Sequence, residues 1–320
     1  MSIYISLPTL EDTETAETIV EAVAYADYPS EVFINVACFS SKKYYISLLE
    51  KVGEFTNVKV TRYDFDKNRG VGRGRKIAME EYSGQDYVLQ IDSHTKFERG
   101  WDSILVEMHE KACISTGSQK TILTAYLGRF TSTAEYGRTR LDEKPLFPAF
   151  FPGYLENTGN TIPLWKSAST VNECPLDFPK DEFLPCPKFN ANFAFGNKEF
   201  AKDTGLYEKS VFFEEEILQT INLLSSGFSL VFPNQRVPLS HLYSDDISDK
   251  SLGQRTSMNT GSKKSPNEHY KSMSNNYTAF VKDPKNKEAC QIFQKYTGVH
   301  PIFGAVKPWR IPSNFTSKML

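Results

Sequence analysis

The sequence "YVLQIDSH", which starts at Tyr87, combines a buried strand with groups that can do chemistry. Its apolar run predicts a strand that stops at Asp92, Ser93 and His94. In an extended chain, side chains two positions apart leave the same face, so Asp92 and His94 can converge on one ion. A carboxylate and a neutral imidazole form part of an acceptable shell for Mn²⁺ or another divalent cation. The alternative is that Asp92 caps the following turn and His94 is an ordinary surface residue.

The elements that must position these groups follow from hydrophobic periodicity. Strands are predicted over 2–7, 31–39, 57–63 and 87–91, helices over 13–27 and 42–52, and a further helix after the glycine- and arginine-rich turn "DKNRGVGRGRK". This alternation predicts an α/β fold with a Rossmann-like, mostly parallel, doubly wound sheet in the first 125 residues. Ligands of such sheets bind beyond the carboxyl ends of the strands, where Asp92 and His94 lie. Further along the chain, Asp102 is predicted to cap a helix over 103–116.

The sequence after residue 125 is less regular. Residues 128–188 are rich in Pro, Phe and Tyr and show little regular period, which predicts a long loop-rich region of the kind that is usually functional. "FNANFAFGNKEF" predicts a strand followed by a helix, with Asn190 and Asn192 on one face of that strand, where their amides bond the hydroxyls of a ligand or buried backbone groups. "FFEEEILQTINLLSSG" predicts a helix that ends at Gly227, and "FSLVFP" a buried strand.

Composition narrows the possible classes. The chain has 320 residues, 40% of them hydrophobic, and a formal net charge of -2, which is typical of a soluble globular protein and argues against a nucleic-acid surface. No secretory signal and no stretch of roughly 20 apolar residues is evident. The five cysteines contain no CxxC pair, which favours reduced thiols. These features together predict a cytoplasmic protein without a membrane span.

Further motifs follow in chain order: "NRGVGRGR" with Arg69, Gly70 and Arg75, "GWD" at 100–102, "FFEEEIL" with Glu215 and Glu216, and "PLSHLY" with His241 and Tyr243. With the DSH sequence, they resemble the GT-A glycosyltransferases. The resemblance is strongest to the family that transfers N-acetylglucosamine from its UDP donor to hydroxyproline or related hydroxyls of cytoplasmic proteins. It spans residues 3–243. It departs at 72–74, where the family has bulkier residues, and at Glu214, where the family has Gly.

The resemblance implies a UDP-sugar donor and a divalent cation, Mn²⁺ or Mg²⁺, held by Asp92, His94 and His241. Such an ion offsets the charge that grows on the leaving UDP. Donor contacts are expected from Leu7, Pro8, Arg69, Gly70, Arg75, Asp92 and Ser93. A guanidinium suits a diphosphate, and glycines let the amides at a helix start approach an anion. The role of Arg73 is open, and Asp12 either contacts the nucleotide or, as we prefer, caps the following helix.

Glu215 and Glu216 are the candidate catalytic residues. Acidic residues in the first turn also interact favourably with the helix dipole, so a structural role exists without catalysis. The resemblance implies that one carboxylate orients sugar hydroxyls and the other assists near the acceptor hydroxyl, with retention of the anomeric configuration.

The expected protein is therefore a metal-dependent glycosyltransferase that moves a sugar, GlcNAc by resemblance, to a hydroxyl on a protein or glycan. The alternatives are a nucleotidyl or phosphoryl transferase, although no GxxxxGK[ST] loop is present, and a catalytically silent sugar-nucleotide or glycan-binding protein. We expect a GT-A domain over 1–243 and a C-terminal part, 244–320, packed on it. Within the GT-A domain, the resemblance implies that residues 128–188 form a loop-rich acceptor region, with Trp165 as a candidate for its wall. The polar stretch of the C-terminal part, 244–277, is a linker or a lid, and a short helix is predicted near 286–297.

Overall fold

The computed structural model describes residues 1–64, 70–133, 137–141, 183–212, 214–243, 266–301 and 304–305. The first part alternates strands and helices: β1 (Ile3–Thr9), α1 (Thr15–Ala24), β2 (Val32–Phe39), α2 (Lys42–Val52), β3 (Val58–Tyr63), α3 (Val71–Met79), β4 (Tyr87–Ile91), β5 (Thr95–Phe97), α4 (Trp101–Thr116) and β6 (Thr121–Thr124). The predicted strands and helices of this part are confirmed.

The later elements are shorter and more varied. They are β7 (Gly128–Thr133), β8 (Gly137–Arg140), β9 (Leu184–Pro185), β10 (Phe193–Asn197), α5 (Lys198–Lys202), α6 (Glu214–Ser225), β11 (Ser229–Phe232), β12 (Leu239–His241), α7 (Pro266–Lys282), α8 (Lys287–Thr297), β13 (Val299–His300) and β14 (Gly304–Ala305).

An eight-stranded sheet forms the centre of the molecule, in the order β3-β2-β1-β4-β10-β6-β11-β9. All of its strands run in one direction except β10 and β9, so the predicted mostly parallel sheet is confirmed. The sheet is not confined to the first 125 residues, because β10 is inserted antiparallel between β4 and β6. This insertion brings the start of β10 to the same sheet edge as the ends of β4 and β6.

A second sheet has the order β5-β12-β7-β8. Strand β12 pairs antiparallel with β5, in a register that places His241 opposite Thr95. It also pairs parallel with β7. The pairing of β12 with β5 therefore brings His241 close to His94, the two histidines of the predicted metal site.

Four sequence predictions need correction. Gly72, Arg73 and Gly74 lie inside α3 instead of in the turn before it. Asp102 does not cap α4, because Gly100 holds that position and the Asp102 carboxylate accepts bonds from the backbone N–H groups of residues 27 and 28. Asn190 and Asn192 precede β10 and so share no strand face.

The fourth correction concerns the polar stretch over 244–277. From Pro266 onward it belongs to helix α7, whose Met273, Tyr277 and Phe280 are buried in the main core. The short helix predicted near 286–297 is confirmed as α8, and Phe293 from it is buried in the same core. The rest of the predicted lid, 244–265, and Trp165 lie outside the described residues. No helix in the described part of the chain is long and apolar enough to cross a membrane.

Candidate active site

The site lies at the edge of the main sheet where the parallel strands end. Asp92 follows β4 directly, Asp12 follows β1, and Tyr126 follows β6. Because β10 runs the other way, Asn192 just before its start lies at this edge too. Polar side chains from four neighbouring strands therefore gather at one edge, as is usual for α/β sheets.

Asp92, His94 and His241 form a cluster whose three ligand-type atoms lie within 4.8 Å of one another. The Nε2 atom of His241 is 3.1 Å from Oδ2 of Asp92. The rings of His94 and His241 are 4.6 Å apart, edge to face. The sequence prediction that these three residues come together is thus matched by the geometry.

The two histidines meet because of strand pairing. The β5–β12 register sets Thr95 against His241, and the backbone N–H of Leu242 donates to the carbonyl oxygen of His94. The ring of Tyr243 then packs 4.4 Å from that of His241, while its hydroxyl donates to the Leu127 carbonyl oxygen. The pairing of three residues of β12 with β5 thus helps to hold a histidine from far along the chain beside the DSH turn.

Arg75 lies directly behind this cluster and is almost completely buried. Its guanidinium contacts Oδ1 of Asp92 at 2.7 Å and Oε1 of Glu215 at 2.8 Å, and it donates to the carbonyl oxygen of Ile91. Arg75, which was predicted to contact the UDP-sugar, therefore connects Asp92, a candidate metal ligand, with Glu215, a candidate catalytic residue. The charge-assisted hydrogen bonds of the guanidinium fix the positions of both carboxylates.

The local charges suit a cation. Burial would raise the pKa of Asp92, but Arg75 and His241 outweigh it and hold that pKa well below its usual range. Burial, with the nearby His94, lowers the pKa of His241. An ionised carboxylate and a neutral imidazole are the states that bind metal ions, so the residues present fit a divalent cation.

Glu214, Glu215 and Glu216 have three different surroundings at the start of α6. Glu214 accepts from the backbone N–H groups of Val211 and Phe212, so it stabilises the helix start. Burial raises the pKa of Glu215 to about 7, against the opposing effect of Arg75. Glu216 is the most accessible of the three, with 18% of its side chain exposed.

A buried cation holds Glu216. Lys188 forms an ion pair with its Oε2 atom and contacts the Tyr126 hydroxyl at 2.6 Å, and that hydroxyl also donates to Glu216. The other oxygen of Glu216 accepts the N–H of Ala191. Burial would lower the pKa of Lys188, but the carboxylate of Glu216 raises it. Glu216 is thus fixed in an orientation beside Tyr126.

The remaining predicted donor contacts are placed as follows. Leu7 is inside the core, and Pro8 is half-buried in β1 beside Gly74 of α3. Gly70 packs against the backbone of Ser210 and Val211, whose carbonyl oxygens accept the first amides of α3, so these amides do not face an anion. Ser93 donates to Asp12, and Arg69 lies outside the described residues.

Sequence reasoning missed Lys188 and Tyr126 and treated Asp12 mainly as a cap. The position of Tyr126 just after a strand was an available signal. Lys188 offered none, since it reaches the site only through the antiparallel insertion of β10. Arg73, whose role was open, forms an exposed ion pair with Glu208.

The fold and this site define an α/β enzyme with a polar, cation-suited centre at the ends of its parallel strands. The family profile "Glycosyltransferase (GlcNAc)" matches residues 37–297. The chain belongs to this family and is a glycosyltransferase.

Two solved structures align with this chain. TarS 1-349 of S. aureus, solved with UDP-GlcNAc, aligns with a TM-score of 0.50 and 15% identity over 92% of this chain and 71% of that one. GalNAc-T7, solved with UDP, GalNAc and Mn²⁺, aligns with a TM-score of 0.49 and 17% identity over 76% of this chain, which spans 44% of its length. The TarS match supports the predicted GT-A fold class. Comparison with curated proteins gave no significant match.

Proposed function

We propose that this protein transfers N-acetylglucosamine from UDP-GlcNAc to a hydroxyl group, with a divalent cation at Asp92, His94 and His241. The observation that carries the proposal is the convergence of these three side chains within 4.8 Å at the end of β4. The family description and the UDP-GlcNAc complex of TarS support the choice of donor. The Mn²⁺ complex of GalNAc-T7 makes Mn²⁺ the first cation to test.

Within this proposal, a cation held by the cluster would offset negative charge on the donor diphosphate. Arg75 keeps Asp92 ionised and directed to the cluster, and Glu215 keeps Arg75 in place. The partly exposed position of Glu216, between Tyr126 and Lys188, makes it the carboxylate that touches the sugar or the acceptor hydroxyl. Transfer would proceed with retention, and the acceptor would be hydroxyproline or a related hydroxyl of a protein or glycan.

The first experiment is calorimetric titration of UDP-GlcNAc into the wild type, with Mn²⁺ and with EDTA. We expect binding in Mn²⁺ and its loss in EDTA and in Asp92→Ala. The matched control is Asp86→Ala, because Asp86 precedes β4 at the opposite sheet edge, where its carboxylate bonds to Ser2 and the chain amino group. A folded wild type that binds no UDP-sugar, or binds it equally well in EDTA, would contradict the proposal.

A second experiment addresses the reaction. Glu216→Gln keeps the shape of the side chain but removes the charge, so we expect kcat to fall by about 10² or more while the donor Kd changes little. Glu208→Gln, on the surface near α3, is the control. Because the donor is α-linked, an α-linked product in the NMR spectrum would establish retention, and a β-linked product would refute it.

A further inference from the structure

Asp12 lies in the loop between β1 and α1, against the DSH turn. It is only 4% exposed. Its Oδ2 atom is 2.6 Å from Nδ1 of His94 and accepts the Ser93 hydroxyl at 3.0 Å. Its Oδ1 atom accepts the backbone N–H of Glu14 at 2.9 Å. One carboxylate oxygen therefore bonds to the start of α1, and the other bonds to the histidine.

The contact with His94 selects one form of the imidazole ring. A carboxylate accepts a hydrogen bond, so a neutral His94 places its proton on Nδ1. Its lone pair is then on Nε2, the nitrogen on the opposite side of the ring. A carboxylate behind a ligating histidine fixes both the tautomer and the ring orientation, and raises the basicity of the ligating nitrogen.

The backbone of the loop supports this arrangement independently. Glu11 has a φ of 49° and is the one non-glycine residue with positive φ in the described part of the chain. Such a conformation costs roughly 1–2 kcal/mol for an L-residue. It is held by the Glu11 carboxylate, which accepts the N–H of Ser41. Because Glu11 directly precedes Asp12, the fold holds Asp12 in its place beside His94 at a cost in backbone energy.

We infer that Asp12 is a positioning residue for the metal centre, which acts by holding His94 with Nε2 ready to bind a divalent cation. The inference rests on the proposed function, since it takes the cation site from there. It assigns to Asp12 a role beyond the support of α1, and a role distinct from contact with the nucleotide.

The test measures Mn²⁺ affinity directly, by electron paramagnetic resonance of free Mn²⁺, with and without UDP. In Asp12→Ser the shorter hydroxyl can still accept the Glu14 N–H but does not reach His94. We expect Mn²⁺ to bind about 10–100-fold more weakly than to the wild type, the usual cost of losing such a supporting group. Asp12→Asn keeps the shape of the side chain, so its Mn²⁺ affinity should lie between those of the wild type and Asp12→Ser.

The control is Asp102→Asn. Asp102 is a fully buried carboxylate that also accepts backbone N–H groups, those of Asp27 and Tyr28, but beyond the opposite end of α1. The Asp102→Asn substitution should lower the melting temperature and leave the Mn²⁺ affinity unchanged. A merely structural Asp12 would behave like Asp102, and equal Mn²⁺ affinity of Asp12→Ser and wild type would overturn the inference.

A wild-type protein that binds no Mn²⁺ would refute the proposed metal site instead. A measurement on the metal-free wild type keeps the two failures apart and needs no stable Asp12 variant. Long-range ¹H–¹⁵N spectra report the tautomer of each neutral histidine, and His94→Ala identifies the signal. The Nδ1–H tautomer at His94 supports the inference, and the Nε2–H tautomer overturns it.

Discussion

At the scale of single residues, Arg75 is the connection on which the site depends. It is almost completely buried and contacts Asp92 and Glu215, so its removal leaves two carboxylates without their shared cation. We expect Arg75→Met to lower the free energy of unfolding by about 3–5 kcal/mol, the cost of breaking a buried ion pair. Urea denaturation checks this value.

The matched control for this prediction is Arg73→Met, two residues earlier on the same helix. Its ion pair with Glu208 is exposed, and exposed pairs contribute little. We expect no substantial change in stability. Equal losses in the two variants would show that Arg75 is held by general packing and not by its two carboxylates.

Glu215 should make stability depend on pH. Its pKa in the folded protein is about 7, above the ordinary 4.5, so the folded state binds more protons than the unfolded state between these values. This contribution is complete below pH 4.5 and is lost as the pH rises through about 7. Unfolding of metal-free wild type and Glu215→Gln should therefore show the wild type losing stability relative to the variant as the pH rises. A pH-independent difference would contradict the assignment.

At the scale of elements, helix α3 is positioned by close backbone contact at its first residues. The amides of Val71 and Gly72 donate to the carbonyl oxygens of Val211 and Ser210. Gly70 allows this approach, because a Cβ atom there would lie 2.4 Å from the Ser210 carbonyl oxygen. The position of α3 determines where the Arg75 guanidinium lies. The segment before α6 therefore helps to position the groups of the site.

Gly70→Ala tests this contact, with Gly84→Ala as its control. Both glycines have nearly the same φ, 107° and 105°, but a Cβ atom at Gly84 meets nothing within 4 Å. Gly84→Ala should cost only the strain of the positive φ, on the order of 1–3 kcal/mol. Gly70→Ala should cost clearly more and also weaken Mn²⁺ binding. Equal melting temperatures for the two variants would argue against docking of α3 on 210–211.

At the scale of the whole molecule, the C-terminal helices belong to the same core as the main sheet. Phe293 of α8 is 1% exposed within the large core cluster, and the hydroxyl of Tyr277 in α7 donates to the Pro301 carbonyl oxygen. Helices that share a core should unfold with it. The chain from β1 to α8 is therefore expected to behave as one cooperative unit.

Phe293→Ala tests this cooperativity. We expect a loss of about 3–5 kcal/mol, as for other buried Phe truncations, in a single unfolding transition of the whole chain. Tyr28→Ala, at a ring that is 55% exposed, should change stability little. Two separate thermal transitions in calorimetry, with only one moved by Phe293→Ala, would show that α7 and α8 form an independent unit.

The sequence by itself determined the local elements and the residues at their ends. Hydrophobic periodicity within β1 to β4 and the DSH sequence after β4 predicted a parallel sheet with acid and histidine at its carboxyl edge, because periodicity and chain order are local properties. Asp92 and His94, two positions apart, were predictable as a pair on the same ground. His241 was predicted as a third metal ligand only from the resemblance to a known family.

The tertiary structure alone decided which distant residues complete the site. The β5–β12 register brings His241 to His94, the antiparallel β10 brings Lys188 to Glu216, and the strained loop after β1 turns Asp12 to the imidazole. None of these pairings leaves a periodic signal, since each depends on strand order and register between separate segments. Arg75 was likewise expected only as a donor contact, and the packing of α3 shows it as the buried link between two carboxylates.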